Sequence, residues 1–209
     1  MTKLYLVRHG QTLWNLEGRL QGWKDSGLTD HGINQAKKAK KALEKIPFDA
    51  IYSSDRGRTL QTATIIAGDE KKIQKSSGLR EMSFGEWEGQ LIEDVKGKYS
   101  ENYWALFNAA DKYTSIGGED YEGLKNRVVP EVNKIIEQNS GDNILIVSHA
   151  LTIKTILSHF ENRSFTTFWD APFVEGGSIS VVEITDEARI KLYADASHLN
   201  ESEDVKLVV

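Results

Sequence analysis

The chain of 209 residues contains no cysteine, and it has only three prolines and two methionines. The absence of cysteine excludes disulfide bonds, thiolate chemistry and cysteine-based metal sites. No apolar run approaches the roughly 20 residues that a membrane-spanning helix requires. The first residues also lack the basic leader and apolar segment of a signal peptide. We therefore expect a cytoplasmic protein with no membrane partner.

Basic residues are fewer than acidic ones: the chain has 26 Lys and Arg and 31 Asp and Glu, which gives a net charge of −5. This balance argues against a general nucleic-acid-binding protein. A chain of this length with 39% hydrophobic residues can bury a sizeable core. We expect one domain over residues 1–209, in which residues from about 90 to 116 form a helical cap insertion.

Three short apolar runs, at residues 4–7, 50–53 and 144–147, predict strands buried on both faces. Each run is followed closely by basic or imidazole side chains, namely Arg8 and His9, Arg58, and His149. The carboxyl ends of parallel strands meet at the edge of the sheet where ligands bind in open α/β folds. These side chains are therefore expected to share one site.

The remaining pattern alternates helices with strands, as in an α/β protein. Helices are predicted from an N-cap at Thr29 to Pro47, over residues 58–67, once or twice within 91–116, from 121 to about 139 with a kink or break at Pro130, and over 151–160. Further strands are predicted at residues 73–75, and at 178–184 and 190–194 as a hairpin. Residues 13–27 are expected to form a loop.

Two arginines converging on one pocket imply an anionic ligand, because the guanidinium fork matches phosphate or carboxylate. The histidines beside them could act as metal ligands, as acids or bases, or as nucleophiles. A metal is disfavoured, because the sequence lacks His-x-x-x-His spacing and arginines repel cations. A histidine that attacks an arginine-bound phosphorus is chemically coherent and needs a carboxylic acid for the leaving oxygen. His31, His159 and His198 are expected to be ordinary residues.

Five separated motifs stand out in the sequence. They are Arg-His-Gly-Gln-Thr at residues 8–12, continued at 14–15 and 18–23; Ser-Ser-Asp-Arg-Gly-Arg-Thr-Leu-Gln-Thr-Ala at 53–63; Leu-Arg-Glu at 79–81 with residues 84–89; Gly-Gly-Glu at 117–119; and Val-Ser-His at 147–149. Together they resemble the motifs of the histidine phosphatase superfamily, which includes the phosphoglycerate mutases. The motifs occur in the family's order and cover nearly the whole chain.

The resemblance implies a three-layer α/β sandwich with a mostly parallel sheet between helices. We expect neither a metal nor a cofactor. The resemblance also implies that His9 is the phosphate-accepting nucleophile and Glu81 the general acid. Arg8, Arg58 and His149 would form the phosphate pocket, and the substrate-binding set would add Gly10, Gln11, Asn15, Gln21, Gly22 and Ala150. One departure is visible, since Ala150 stands where the family usually has glycine.

Three functions remain open: a phosphatase for small phosphomonoesters, a phosphoglycerate mutase, and a non-catalytic module that binds a phosphorylated ligand. A mutase that resembles the glycolytic members should carry an Arg-Arg pair in residues 90–116, and this segment contains no arginine. It offers Lys96, Lys98 and Lys112, with aromatic residues that either line a substrate pocket or pack on the core. We therefore favour the phosphatase, and the sequence leaves monomer and homodimer open.

Overall fold

A computed structural model describes residues 1–200 of the chain. Its strands are β1 (Thr2–Arg8), β2 (Ala50–Ser54), β3 (Ile73–Ser76), β4 (Asn143–Ser148), β5 (Ile179–Ile184) and β6 (Ala188–Asp195). They form a mixed sheet in the order β3-β2-β4-β1-β5-β6. The strands from β3 to β1 pair in parallel, whereas β5 pairs antiparallel with β1 and with β6. The β5–β6 hairpin predicted from the sequence is thus confirmed.

The helices are α1 (Leu13–Leu16), α2 (Asp30–Leu43), α3 (Gly57–Ala67), α4 (Ile92–Lys98), α5 (Ser100–Asn108), α6 (Tyr121–Gln138) and α7 (Ala150–Phe160). Short 3-10 turns lie at Glu70–Lys72, Ser77–Leu79, Gly85–Trp87, Phe165–Asp170 and Ser197–Leu199. Between residues 1 and 200, the structure has no helix with the length and apolar character to span a bilayer.

The helices cover both faces of the sheet because the side chains of a strand alternate between its faces. Tyr5 and Val7 of β1 belong to a buried cluster that also contains side chains of α2 and α3. Leu4 and Leu6 belong to a second cluster with α6 and α7. The predicted three-layer α/β architecture with a mostly parallel sheet is confirmed.

The register of the sheet brings the ends of the central strands together. In the parallel pair β1–β4, Arg8 lies opposite Ser148, so the next residues of the two strands are His9 and His149. The backbone amide of His9 continues the ladder by donating to the carbonyl of Ser148, at 3.0 Å. One sheet edge therefore holds both histidines.

Three local predictions need correction. The loop prediction for residues 13–27 is wrong at its start, because Thr12 and Asn15 form a reciprocal capping box that nucleates α1. The break predicted as one alternative at Pro130 does not occur, because α6 continues through it. α2 ends at Leu43, before Pro47. The tail after Leu199 lies, from residue 201 onwards, outside the described residues.

The segment from residue 90 to 116 folds as two short helices. Val95 of α4 and Leu106 of α5 are fully buried in the core. The Trp87 ring contacts the rings of Tyr99 and Tyr103, at centroid distances of 5.5 and 6.5 Å. These two tyrosines therefore pack on the core, whereas the Trp104 side chain is 56% exposed.

Candidate active site

His9 lies just past β1 and is buried. Its Nδ1 is 2.8 Å from the carbonyl oxygen of Gly10, which can only accept a hydrogen bond, so we assign the ring proton to Nδ1. The lone pair on Nε2 then accepts a hydrogen bond from Nε of Arg58, at 3.3 Å. Burial lowers the pKa of His9 well below 6.5, and the charges of Arg58 and Arg8 lower it further. The ring is thus a neutral imidazole with its lone pair on Nε2.

Arg58 stands in the first turn of α3 and is 1% exposed. Its Nη1 donates to the carbonyl of Lys24 at 2.7 Å and to the carboxylate of Asp25 at 2.9 Å, and its Nη2 donates to the carbonyl of Gly22 at 2.8 Å. Burial lowers the pKa of Arg58, and the bond and charge of Asp25 oppose that shift. The loop 22–25 therefore holds the guanidinium against His9.

Arg8, the last residue of β1, places a second guanidinium at this edge. Its Nη1 donates to the carbonyl of Val174 at 2.7 Å, and its Cζ lies 5.7 Å from the ring centroid of Phe173. Its Nε is buried and has no hydrogen-bond partner within residues 1–200. Burial lowers the pKa of Arg8, and the Glu81 carboxylate opposes this shift. Arg8 thus keeps an N–H group for a ligand.

His149 is completely buried at the N-cap of α7. Its Nε2 lies 2.8 Å from Oγ of Ser54, and its ring centroid lies 5.2 Å from that of His9. In the described part of the chain, its Nδ1 has no hydrogen-bond partner. Burial lowers the pKa of His149 well below 6.5, and the positive charge of Arg58 lowers it further. Ala150 follows as the first residue of α7.

Glu81 is buried in a segment that lies against the N-terminus of α7. Its Oε2 accepts from the amide of Leu151 at 3.2 Å. Its Oε1 accepts from the amides of Met82 and Thr152, at 3.0 and 3.2 Å. The first amides of a helix have no intrahelical partner, so α7 binds this carboxylate where it begins.

Two further carboxylates, in the motif at residues 84–89, are placed differently. Glu86 is exposed. The carboxylate of Glu88 accepts from the amides of Trp23, Lys24 and Phe84, at 2.9, 3.2 and 3.1 Å. Glu88 therefore anchors the loop that holds Arg58.

The predicted substrate-binding residues fall into two groups. Gly10 and Gly22 join the site through their carbonyls, which accept from His9 and Arg58. The side chains of Gln11, Asn15 and Gln21 form hydrogen bonds with threonines instead. Gln11 bonds to Thr29, whereas Asn15 and Gln21 both bond to Thr12. Within residues 1–200 none of these three side chains has a hydrogen bond to His9, Arg8, Arg58, Glu81 or His149.

Several contributors were not identified from the sequence, because they lie far along the chain from the groups that they contact. Asp25 reaches Arg58, Ser54 reaches His149, and Arg127 reaches the backbone of Glu81. Ser54 belongs to the motif at residues 53–63, and Glu119, which pairs with Arg127, belongs to the motif at residues 117–119. His198, expected to be an ordinary tail residue, is buried and bonds the carbonyl of Gly177. No cluster of acidic and histidine side chains suited to a metal ion occurs within the described residues.

Comparison with known proteins agrees with this geometry. A profile of the histidine phosphatase superfamily (branch 1) matches residues 4–196. Phosphoserine phosphatase 1 of Hydrogenobacter thermophilus is 30% identical over 203 residues, covering 96% of each chain. The probable phosphoglycerate mutase GpmB of Salmonella paratyphi A is 36% identical over 161 residues, covering 76% of this chain and 74% of the relative.

Among solved structures, Bacillus stearothermophilus YhfR superposes with a TM-score of 0.92 at 33% sequence identity, covering 96% of this chain and 100% of that one. The likeness in fold therefore extends over nearly the whole chain. The chain belongs to branch 1 of the histidine phosphatase superfamily and is a phosphatase.

Proposed function

We propose that this phosphatase hydrolyses small phosphomonoesters through a phosphohistidine on His9. The observation that supports this most is the protonation state of the His9 ring. Its Nδ1–H donates to the Gly10 carbonyl, and the lone pair of Nε2 faces Arg58. In the first step Nε2 attacks phosphorus and the bond from phosphorus to the ester oxygen breaks. In the second step water attacks phosphorus, the P–N bond breaks, and His9 is restored.

The phosphoryl group is held by the positive and polar groups around His9. Arg8 Nε and His149 Nδ1 are both buried and lack partners within the described residues, and phosphate oxygens would supply those partners. Arg58 already lies 3.3 Å from the attacking nitrogen. Two fixed guanidinium groups would stabilise the charge that spreads over the equatorial oxygens during transfer.

We assign the proton transfers to Glu81. In the first step its carboxyl gives a proton to the departing ester oxygen, and in the second step it takes one from the attacking water. Its charge raises the pKa of both Arg8 and Arg58, which supports a position near the phosphate pocket. Glu86 is exposed, and the Glu88 carboxylate binds amides of Trp23, Lys24 and Phe84 rather than the N-terminus of α7 next to His149. Both are therefore less suitable than Glu81.

The relatives and the helical segment support a choice of substrate to test first. The similarity to a phosphoserine phosphatase makes phosphoserine a first substrate to test. Mutase activity is the alternative, favoured by the likeness to a probable phosphoglycerate mutase. Residues 90–116 lack the Arg-Arg pair expected of a mutase that resembles the glycolytic members, which supports hydrolysis.

We also propose that residues 90–116 act as a cap over the substrate. The segment begins beside the loop that carries Gln21 and Gly22, because Leu20 and residues 89–90 exchange backbone hydrogen bonds, at 2.7 and 3.1 Å. A single domain, a cytoplasmic location and a reaction without cofactor or metal stay predictions, as does the choice between monomer and homodimer.

The test is to measure phosphate release and phosphoenzyme formation for the protein and its His9→Ala variant in the presence of EDTA. We expect activity to fall by several powers of ten, on the order of the loss seen when other nucleophiles are removed. Acid-labile phosphate should attach to the unaltered protein and be absent from the variant. Phosphoenzyme on the variant would place the nucleophile elsewhere, and loss of the unaltered protein's activity in EDTA would contradict the metal-independent mechanism.

A further inference from the structure

The backbone around Glu81 has no regular secondary structure to hold it, since residues 80–84 belong to no helix or strand. Side chains bind its carbonyls instead. The carbonyl of Leu79 accepts from Oγ of Ser148 at 2.8 Å, and that of Arg80 accepts from Oγ1 of Thr152 at 2.7 Å. The carbonyl of Glu81 itself accepts from Nε1 of Trp23 at 2.9 Å. Side chains from other parts of the chain thus hold this segment in place.

Arg127 of α6 makes the largest contribution to this arrangement. Its Nη1 donates to the carbonyls of Gly78 and Arg80, and its Nη2 donates to that of Glu81, all at 3.0 Å. Its Nε and Nη2 also form two 2.7 Å bonds with the carboxylate of Glu119. All five N–H groups of this guanidinium are therefore used, three of them on the segment that carries Glu81.

Glu119 completes the arrangement on the other side of the segment. Its Oε2 accepts from the amide of Ser83 at 3.0 Å, and its own amide donates to the carbonyl of Ser83 at 2.8 Å. The Arg127 guanidinium also lies 5.8 Å from the ring centroid of Trp23, the second donor to the Glu81 carbonyl. Backbone on both sides of Glu81 is thus held by one ion pair.

We propose that Arg127 is a positioning residue for the acid–base step, a role that rests on the proposed function of Glu81. The Glu81 carboxyl must release and regain a proton, so its own bonds to α7 change during each turnover. The main chain therefore has to keep the carboxyl within reach of the leaving oxygen, and Arg127 supplies three of the bonds that do so. A displacement of about 1 Å at such a group can reduce the rate about a hundredfold.

The dependence of the rate on the leaving group separates positioning from a purely structural role. An alkoxide leaves poorly without a proton, whereas dinitrophenolate leaves without help. We would measure kcat/KM, which covers phosphohistidine formation, with phosphoserine and with 2,4-dinitrophenyl phosphate. Glu81→Gln should reduce the phosphoserine value by about 100- to 10,000-fold. Arg127→Met should reduce it by about 10- to 100-fold and change the dinitrophenyl value less than about threefold.

The controls use substitutions that each remove or weaken a single contact. Trp23→Phe removes one donor to the Glu81 carbonyl. It should also reduce kcat/KM more for phosphoserine than for 2,4-dinitrophenyl phosphate, but by a smaller factor than Arg127→Met. Arg127→Lys keeps the charge but loses the fork, and should recover only part of the activity. Arg163→Met breaks an ion pair of similar length, with Glu161 near the end of α7, and should alter neither substrate. The double variant Arg127→Met/Glu81→Gln should be no slower than Glu81→Gln.

Equal losses of both substrates in Arg127→Met and Trp23→Phe, or additive losses in the double variant, would overturn the positioning role. Suppose that Glu81→Gln loses more activity with phosphoserine than with 2,4-dinitrophenyl phosphate, but the Arg127 variants do not. That result would also overturn the positioning role, while leaving the proposed mechanism intact. Absence of the contrast in Glu81→Gln would instead remove the acid role of Glu81, and the inference about Arg127 with it.

Discussion

The protonation of His9 depends on its burial and on two positive charges, and all three act in the same direction. Each disfavours the imidazolium form, so the pKa of His9 lies well below 6.5 and the ring stays neutral as the pH falls through that value. We therefore predict no loss of kcat/KM from His9 protonation at pH 6.5, once the rate is corrected for the substrate phosphate, whose second pKa is about 6.

The same prediction has a direct readout in NMR titration of the His9 ring. Arg8→Met removes one of the two charges and should raise the pKa of His9 towards its ordinary value. A ring that titrates at or above pH 6.5 in the unaltered protein would contradict the assignment of a neutral, pre-formed nucleophile.

At the scale of elements, two glycines set how closely α2 approaches the end of β1. A Cβ on Gly32 would lie 2.0 Å from the carbonyl oxygen of Gln11, and one on Gly10 would lie 2.2 Å from that of Gly32. Both contacts are with backbone, which cannot move aside as a side chain can. The close approach brings the first turn of α2 against the residues that follow His9.

We predict that Gly32→Ala destabilises the protein although alanine is the better helix former by about 1 kcal/mol. The clash with Gln11 should outweigh that gain and lower the free energy of unfolding by about 1–3 kcal/mol. The matched control is Gly97→Ala in α4, where nothing lies within 4 Å of the added Cβ, and which should stabilise by about 0.5–1 kcal/mol. Urea unfolding measures both, and a stabilised Gly32→Ala would refute the close-approach argument.

The elements themselves were largely predictable, because their signals are local. Buried strands show as apolar runs, and α2 shows as an N-cap at Thr29 followed by an apolar stripe. α1 was missed because its four residues bury no side chain, and only the Thr12–Asn15 pairing marks it. Pro130 does not interrupt α6, whose Val128 and Val132 remain buried on either side of it.

At the scale of the whole molecule, the contacts that assemble the site are long-range and have no local signal. The sequence predicts that His9 and His149 share a sheet edge, but the pairing of β1 with β4 appears only in the structure. The loop that holds Arg58 is bound by Glu88, which is more than 60 residues away from it. Such partners depend on the order of strands, which local patterns do not specify.

The two buried histidines of the site, His9 and His149, also affect the stability of the whole fold. Their pKa values in the folded protein lie well below 6.5, the ordinary value for the unfolded chain. Below pH 6.5 the unfolded chain therefore binds more protons than the folded one. The free energy of unfolding should be at its full value above pH 6.5 and should fall as the pH decreases, by up to about 1.4 kcal/mol per pH unit for each histidine.

Urea unfolding of the protein and of His149→Asn between pH 7 and pH 5 measures this effect. The variant keeps every other titrating group, so the difference between the two slopes isolates His149. We expect the variant to lose less stability per pH unit than the unaltered protein, by up to about 1.4 kcal/mol. Identical slopes would show that His149 is protonated to the same extent in the folded and unfolded chains, which its complete burial beside Arg58 and Arg8 argues against.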